Sequence, residues 1–163
     1  MSSDVYGLGP GSPITPAVRA FRAVLLLAQR LRYLMDDRLR ADGLTTQQAA
    51  LLTAVIALDS PPLGAAAAAL GTTHQNAAQL VAALERKGLL TVEADPADRR
   101  RKRLVATAAN ARYWRGRDAG DEAAVAAWFA ALAPGELETL GRLLVTVLED
   151  LGRGGEQPPA GGK

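Results

Sequence analysis

The chain has 163 residues, no cysteine and a net charge of +2, with 48% apolar residues and few aromatics. That size predicts one domain around one main core, and the absence of cysteine excludes disulfides, thiol redox sensing and cysteine-based metal sites. No apolar run reaches the roughly 18 to 20 residues that span a bilayer, and Met1 to Gly11 lacks the charged-then-apolar layout of a secretion signal; the composition predicts a soluble, cytoplasmic protein.

Residues 1–15, rich in Gly, Ser and Pro, read as a flexible arm. From Pro16 to about Arg40 the apolar period is helical, with one stripe of Val18, Phe21, Leu25 and Ala28 and a second of Val24, Leu27, Leu31 and Leu34. So wide an apolar surface predicts burial on two sides, one of them against another subunit. Asp42-Gly43-Leu44 ends this helix. Thr45 and Gln48 have the spacing of a capping box and open a second helix to about Leu58, with Leu51, Leu52, Val55 and Ile56 as its core residues. Ser60-Pro61-Pro62 breaks the chain, and Leu63 to Leu70 is a short Ala-rich helix.

Gly71 makes a tight turn before Thr72 to Lys87, where Thr72 and Gln75 repeat the capping-box spacing and Gly88 is placed as a C-terminal cap. At about 100° per residue, Ala77, Leu80, Val81 and Leu84 form a core face. The opposite side carries Thr72, Gln75, Gln79, Ala82 and Arg86, with His74 and Asn76 flanking it. Gln and Asn can bond bidentately to adenine edges, and a helix of this size suits a major groove. Thr72, Thr73, His74, Gln75, Asn76, Gln79 and Arg86 are therefore the candidate groove residues, with Thr72, Thr73 and His74 suited to phosphate or backbone contact at the helix N-terminus. Gln75 is double-edged, because capping would occupy the side chain that base reading needs.

Two short apolar runs, Leu89 to Val92 and Leu104 to Ala106, flank Asp95-Pro96-Ala97-Asp98 and five consecutive cations, Arg99, Arg100, Arg101, Lys102 and Arg103. They read as a hairpin. The window from Arg86 to Arg103 carries +4, leaving −2 for the rest of the chain. Charge focused in this way is expected of a local polyanion contact, against the plainer reading of a solvated turn. A long helix from about Ala108 to Leu132 follows, then a last helix opened by Pro134 with Leu137, Leu140, Leu144, Val147 and Leu151 in step. Residues 152–163 read as a disordered tail. The fold class is thus mainly α with a small β-hairpin wing: a winged helix-turn-helix flanked by N- and C-terminal helices.

The ordered fragments resemble the MarR family of bacterial transcription regulators. They are Leu44-Thr45, the Gln75 to Glu85 stretch, Lys87-Gly88-Leu89-Leu90, the Asp95-Pro96-x-Asp98-Arg99-Arg100 tip and Leu104 to Thr107. The resemblance implies a homodimer held by interlocking terminal helices (16–40 and 108–151), whose winged-helix lobes (44–107) grip a pseudo-palindromic double-stranded operator. It implies repression relieved by a small aromatic or phenolic effector. It assigns the wing contacts to Asp98, Arg99, Arg100, Arg101, Lys102 and Arg103: Asp98 bracing the tip by pairing with an arginine, and Arg100 entering the minor groove, with Arg99 and Arg101 as alternates. Two departures stand out. Ala108 to Ala111 lacks the family's usual glycine, and Thr91-Val92-Glu93 stands where many members carry arginine, which shifts phosphate gripping toward Arg101, Lys102 and Arg103.

An effector site is carried by weaker signals. Arg19, Arg30 and Tyr33 on the first helix, with Arg112 and Trp114 on the fifth, put aromatic rings beside cations, as an aromatic carboxylate requires; ordinary packing and solvated arginines are the competing reading. No cofactor, metal or enzymatic activity is expected. His74 is the only histidine and has no partners at ligand spacing. The neighbouring Asp36 and Asp37 diverge by about 100° on a helix and cannot form a dyad. The rival to a DNA-binding regulator is a degenerate winged helix for protein contact, of the antirepressor kind.

Overall fold

A computed structural model describes residues 6–9 and 11–154, with side chains to residue 152. The rest of the expected arm and tail (1–5, 10 and 155–163) lies outside the described residues. The chain divides into two compact units, Met1–Arg112 and Tyr113–Lys163.

In the first unit, α1 (Pro16–Leu39) starts with Pro16 in the first helical turn and Thr15 as N-cap, its hydroxyl accepting from the Val18 amide at 3.4 Å. The described part of the expected arm is tethered to this helix: Arg22 Nη1 donates to the Tyr6 carbonyl at 3.0 Å and Arg19 Nη2 to that of Ser12 at 3.4 Å. A single 3-10 turn, 40–42, follows α1, and Gly43 closes it in the left-handed region. Of α1 itself only Leu39 is buried. Val18, Phe21, Val24, Leu25 and Leu27 are 38–62% exposed, so the apolar stripes anticipated for this helix find little cover within the chain.

The predicted box is present at α2 (Thr46–Ala57): Thr45 Oγ1 accepts from the Gln48 amide, and Gln48 Oε1 accepts from the Thr45 amide, both at 3.3 Å. Leu51, Leu52 and Val55 are fully covered, but Ile56, expected in the core, is 56% exposed. It stands about 140° from Leu51 around the axis, outside the arc that Leu51, Val55 and Leu52 span. In α3 (Leu63–Ala69) the two buried residues are Ala66 and Ala67, and small side chains here let neighbouring backbone approach. With α4 (His74–Arg86), these helices enclose a core completed by Leu90 and Leu104 of the hairpin.

That hairpin pairs β1 (Leu90–Ala94) with β2 (Lys102–Ala106) antiparallel, from Leu90 opposite Ala106 to Ala94 opposite Lys102. Both strands run two residues further toward the tip than the apolar runs implied. Leu104 also donates its amide to the Pro61 carbonyl at 2.9 Å, fixing the middle of β2 to the α2–α3 connection. Thr107 seals the far end: its hydroxyl donates to the Gly88 carbonyl at 2.8 Å and accepts from the Asn110 amide at 3.2 Å. It thereby opens α5 (Ala108–Arg115), in which Asn110 is the one buried residue.

The anticipated long helix from Ala108 to Leu132 is two helices, α5 and α6 (Asp118–Trp128). Gly116 weakens the helix between them, and the Arg117 amide turns back to the Trp114 carbonyl at 2.8 Å. Asp118 and Asp121 then sit in the first turn of α6, where the helix dipole favours anions. Arg117 grips both oxygens of Asp121 at 3.1 and 3.2 Å and lies 5.5 Å from the Tyr113 ring centre. In the second unit, α7 (Pro134–Gly154) outlasts its predicted end at Leu151. Leu137, Leu143, Val145, Val147, Leu148 and Leu151 are 39–69% exposed, an apolar surface on this helix. Among the described residues, no helix is long and apolar enough to cross a membrane.

Candidate nucleic-acid interface

Two turns of the same kind frame α4. After α3, Gly71 (φ 58°) places the Thr72 amide on the Ala67 carbonyl at 3.0 Å; after α4, Gly88 (φ 67°) places the Leu89 amide on the Leu84 carbonyl at 3.1 Å. Both are Schellman closures, which need a left-handed residue. The first draws Thr72 into the end of α3. The N-cap of α4 is therefore Thr73, one residue later than the capping-box spacing implied, with its hydroxyl accepting from the Asn76 amide at 3.1 Å.

This one-residue shift changes the roles of three side chains. Gln75 is not a capping residue and is exposed. Asn76 is half-buried and donates through Nδ2 to Thr72 Oγ1 at 2.8 Å. Thr72, Asn76 and Leu80 line a cleft of about 180 Å³ with Thr46, Gln47, Ala50 and Leu70, between α2 and the start of α4. Asn76 thus braces the entry to α4 rather than standing on its outer row. That row is Gln75, Gln79 and Arg86, all exposed and within about 40° of one another around the axis. His74 and Thr73 are exposed beside its N-terminus, while Ala82 is half-buried. Ala77, Val81 and Leu84 hold the inner face as the period indicated, with Leu80 half-buried at the cleft. Thirteen residues give α4 a length of about 20 Å.

At the wing tip the acids organise backbone. Asp95 Oδ1 accepts from the Ala97 amide at 2.8 Å, and the Asp95 amide donates to the Arg101 carbonyl at 2.9 Å. Asp98 Oδ1 accepts from the Arg100 amide at 3.0 Å, and its carbonyl accepts from the Arg101 amide at 2.9 Å. Asp98 therefore braces the tip through an amide, and not through the arginine side chain that the family likeness implied. The four side chains of Arg99, Arg100, Arg101 and Lys102 are exposed and make no hydrogen bond or ion pair among the described residues. Arg103 differs. It stands opposite Glu93 in the ladder, and Arg103 Nη2 lies 3.7 Å from Glu93 Oε2. In the sequence Arg103 counts among the cations expected to grip phosphate, with no sign that Glu93 faces it.

Two of the proposed effector residues line one cavity. On α1, Arg30 lies 5.6 Å from the Tyr33 ring centre, and the two line a cavity of about 460 Å³ with Tyr6, Leu26 and Gln29. Arg19 is engaged with Ser12, outside that cavity. Arg112 is exposed, and Trp114 packs edge-on against Tyr113 with ring centres 4.9 Å apart. Among the described residues, no group of three or more His, Asp or Glu could hold a metal ion.

Residues 42–101 match the model of the MarR family, spanning α2 to the wing tip. No curated protein matches the sequence. Several solved structures share the fold. The S. aureus MepR–DNA complex aligns with a TM-score of 0.67 at 22% identity, over 84% of this chain and 96% of MepR. A MarR protein from Peptoclostridium difficile aligns with a TM-score of 0.75 at 16% identity, over 89% and 95%. BpsR of Bordetella bronchiseptica, whose DNA binding is regulated by 6-hydroxynicotinic acid, gives a TM-score of 0.71 at 21% identity, over 83% and 96%.

Proposed function

We propose that the MarR-family winged helix of residues 42–101 makes this chain a sequence-specific regulator of transcription, which binds a pseudo-palindromic DNA operator as a homodimer. The observation that carries this reading is the pairing, within one unit, of an outward row of Gln75, Gln79 and Arg86 with a braced tip bearing four unpartnered cations. Glutamines read base edges in the major groove, while arginines suit phosphates or a narrow minor groove. The fold shared with MepR, solved as a DNA complex, supports the same assignment. Two uncovered apolar surfaces, one on α1 and one on α7, support a second copy of the chain as partner.

The regulator is non-enzymatic and represses its target until a small aromatic anion binds. The α1 cavity supports that ligand class: two tyrosine rings supply apolar walls and Arg30 a cation. A thermal-shift screen of aromatic carboxylates tests it, since a ligand that binds only the folded state raises the melting temperature; a hit lost in Arg30→Ala supports the assignment.

DNA affinity against salt tests the central claim. Phosphate neutralisation releases counterions, so the log–log slope is several units negative for this many cations. No retention on DNA at about 50 mM salt would replace this reading with the protein-binding one.

A further inference from the structure

We propose that Glu93 is a competitor, built into the wing, for the DNA phosphate that Arg103 would otherwise hold. The inference rests on the DNA-binding reading above and concerns one cation of the same site. Side chains alternate across the hairpin, so Leu90, Val92 and Leu104 turn toward the core while Thr91, Glu93, Arg103 and Val105 share the other face. On that face Glu93 is aimed from two sides: Oε1 accepts from the Thr91 hydroxyl at 3.2 Å, and Oε2 faces Arg103 Nη2 at 3.7 Å.

Arg103 is poorly satisfied in return. Its Nε is buried and has no hydrogen-bond partner. Its pair with Glu93 is a single long contact between side chains that are 33% and 48% exposed, a geometry that holds a cation in place without binding it tightly. A guanidinium with one weak anionic contact and unused donors exchanges readily to a phosphate, which accepts two hydrogen bonds in a matching fork. The carboxylate opposes that exchange twice, by holding the guanidinium and by repelling the incoming phosphate. The free cations at the tip have no carboxylate holding their charged groups among the described residues. The wing therefore divides into a tip that engages any duplex and a cation nearer the root that engages only where contact is close enough to displace Glu93.

The test is a double-mutant cycle of Glu93→Gln and Arg103→Gln on the full chain, with operator affinity measured from about 50 to 300 mM salt. Glu93→Gln keeps the shape and the Thr91 contact but not the charge. It is expected to tighten binding roughly three- to tenfold at low salt and to steepen the salt slope by up to about one unit. In the Arg103→Gln background that gain should fall below about twofold. A gain that persists there in full would make Glu93 a distant repulsive charge, and no gain, or a loss, would make the pair a structural contact; each overturns the proposal. Binding by all four proteins without the expected pattern counts against this inference alone, whereas binding by none removes the DNA reading and this inference with it.

Discussion

Asp36 Oδ1 accepts two hydrogen bonds from Thr46, one from its amide at 2.6 Å and one from its hydroxyl at 2.7 Å. The first residue of α2 is thereby fixed to the last third of α1. The hydroxyl also lies 3.2 Å from the Arg32 carbonyl, but it has one proton and the shorter, charged acceptor takes it. The neighbouring Asp37 points elsewhere and pairs with Arg40 at 3.1 Å on the surface. The two adjacent acids diverge as helical geometry requires, one joining helices and the other solvated.

Removing this joint should be costly. Asp36 is half-buried, it offsets the unmet donors at the start of α2, and its charge favours the helix dipole there. Asp36→Ala is expected to lower stability by about 1–3 kcal/mol in chemical denaturation, and Asp36→Asn, which keeps an acceptor, by less. Asp37→Ala should stay within about 0.5 kcal/mol, as at other surface positions. Equal effects of the two alanine variants would show that the Thr46 contacts do not carry the junction.

Gln79 and Asn76 should separate base reading from bracing. Gln79 lies on the exposed row and makes no hydrogen bond among the described residues, so Gln79→Ala should leave stability unchanged. Its expected effect is to relax preference at one base pair of each half-site, by roughly 1–3 kcal/mol. Asn76→Ala removes the bond to Thr72 and loosens the start of α4. It should lower the melting temperature and weaken binding to every sequence alike. Competition binding on a set of single-base operator variants distinguishes the two patterns, and a melting temperature unaffected by Asn76→Ala would contradict the bracing role.

Local rules made much of this legible in the sequence, and tertiary ones withheld the rest. The Thr45–Gln48 box and the glycine closures at Gly71 and Gly88 follow from neighbours within six residues, so the bounds of α2 and the end of α4 could be anticipated. The start of α4 could not, because Thr72 and Thr73 are equally good caps and the choice is made by the turn that commits the Thr72 amide to Ala67. The split between α5 and α6 left a trace in Gly116 and in the Arg117–Asp121 spacing, outweighed by the many alanines and the absence of proline from Ala108 to Leu132. Glu93 facing Arg103 was hidden for a different reason. Cross-strand pairs depend on register, and the apolar runs alone, ending at Val92 and starting at Leu104, do not say which residue faces Glu93.

Asp98 offers a clean distinction between two ways of holding a wing tip. Its carboxylate accepts from the Arg100 amide at 3.0 Å, a bond that an asparagine side chain can also accept, whereas an ion pair needs the charge. Asp98→Asn should therefore keep the tip ordered, and with one negative charge fewer near the phosphates it should bind DNA as tightly as the parent chain or slightly better. Asp98→Ala loses the acceptor, which frees the Arg100 amide and raises the conformational entropy that binding must overcome. It is expected to weaken operator binding several-fold. Amide hydrogen exchange at Arg100 provides an independent reading: it should remain slow in Asp98→Asn and accelerate in Asp98→Ala. If the two substitutions weaken binding equally, the brace is the charge of Asp98, and the amide contact is incidental to the grip on DNA.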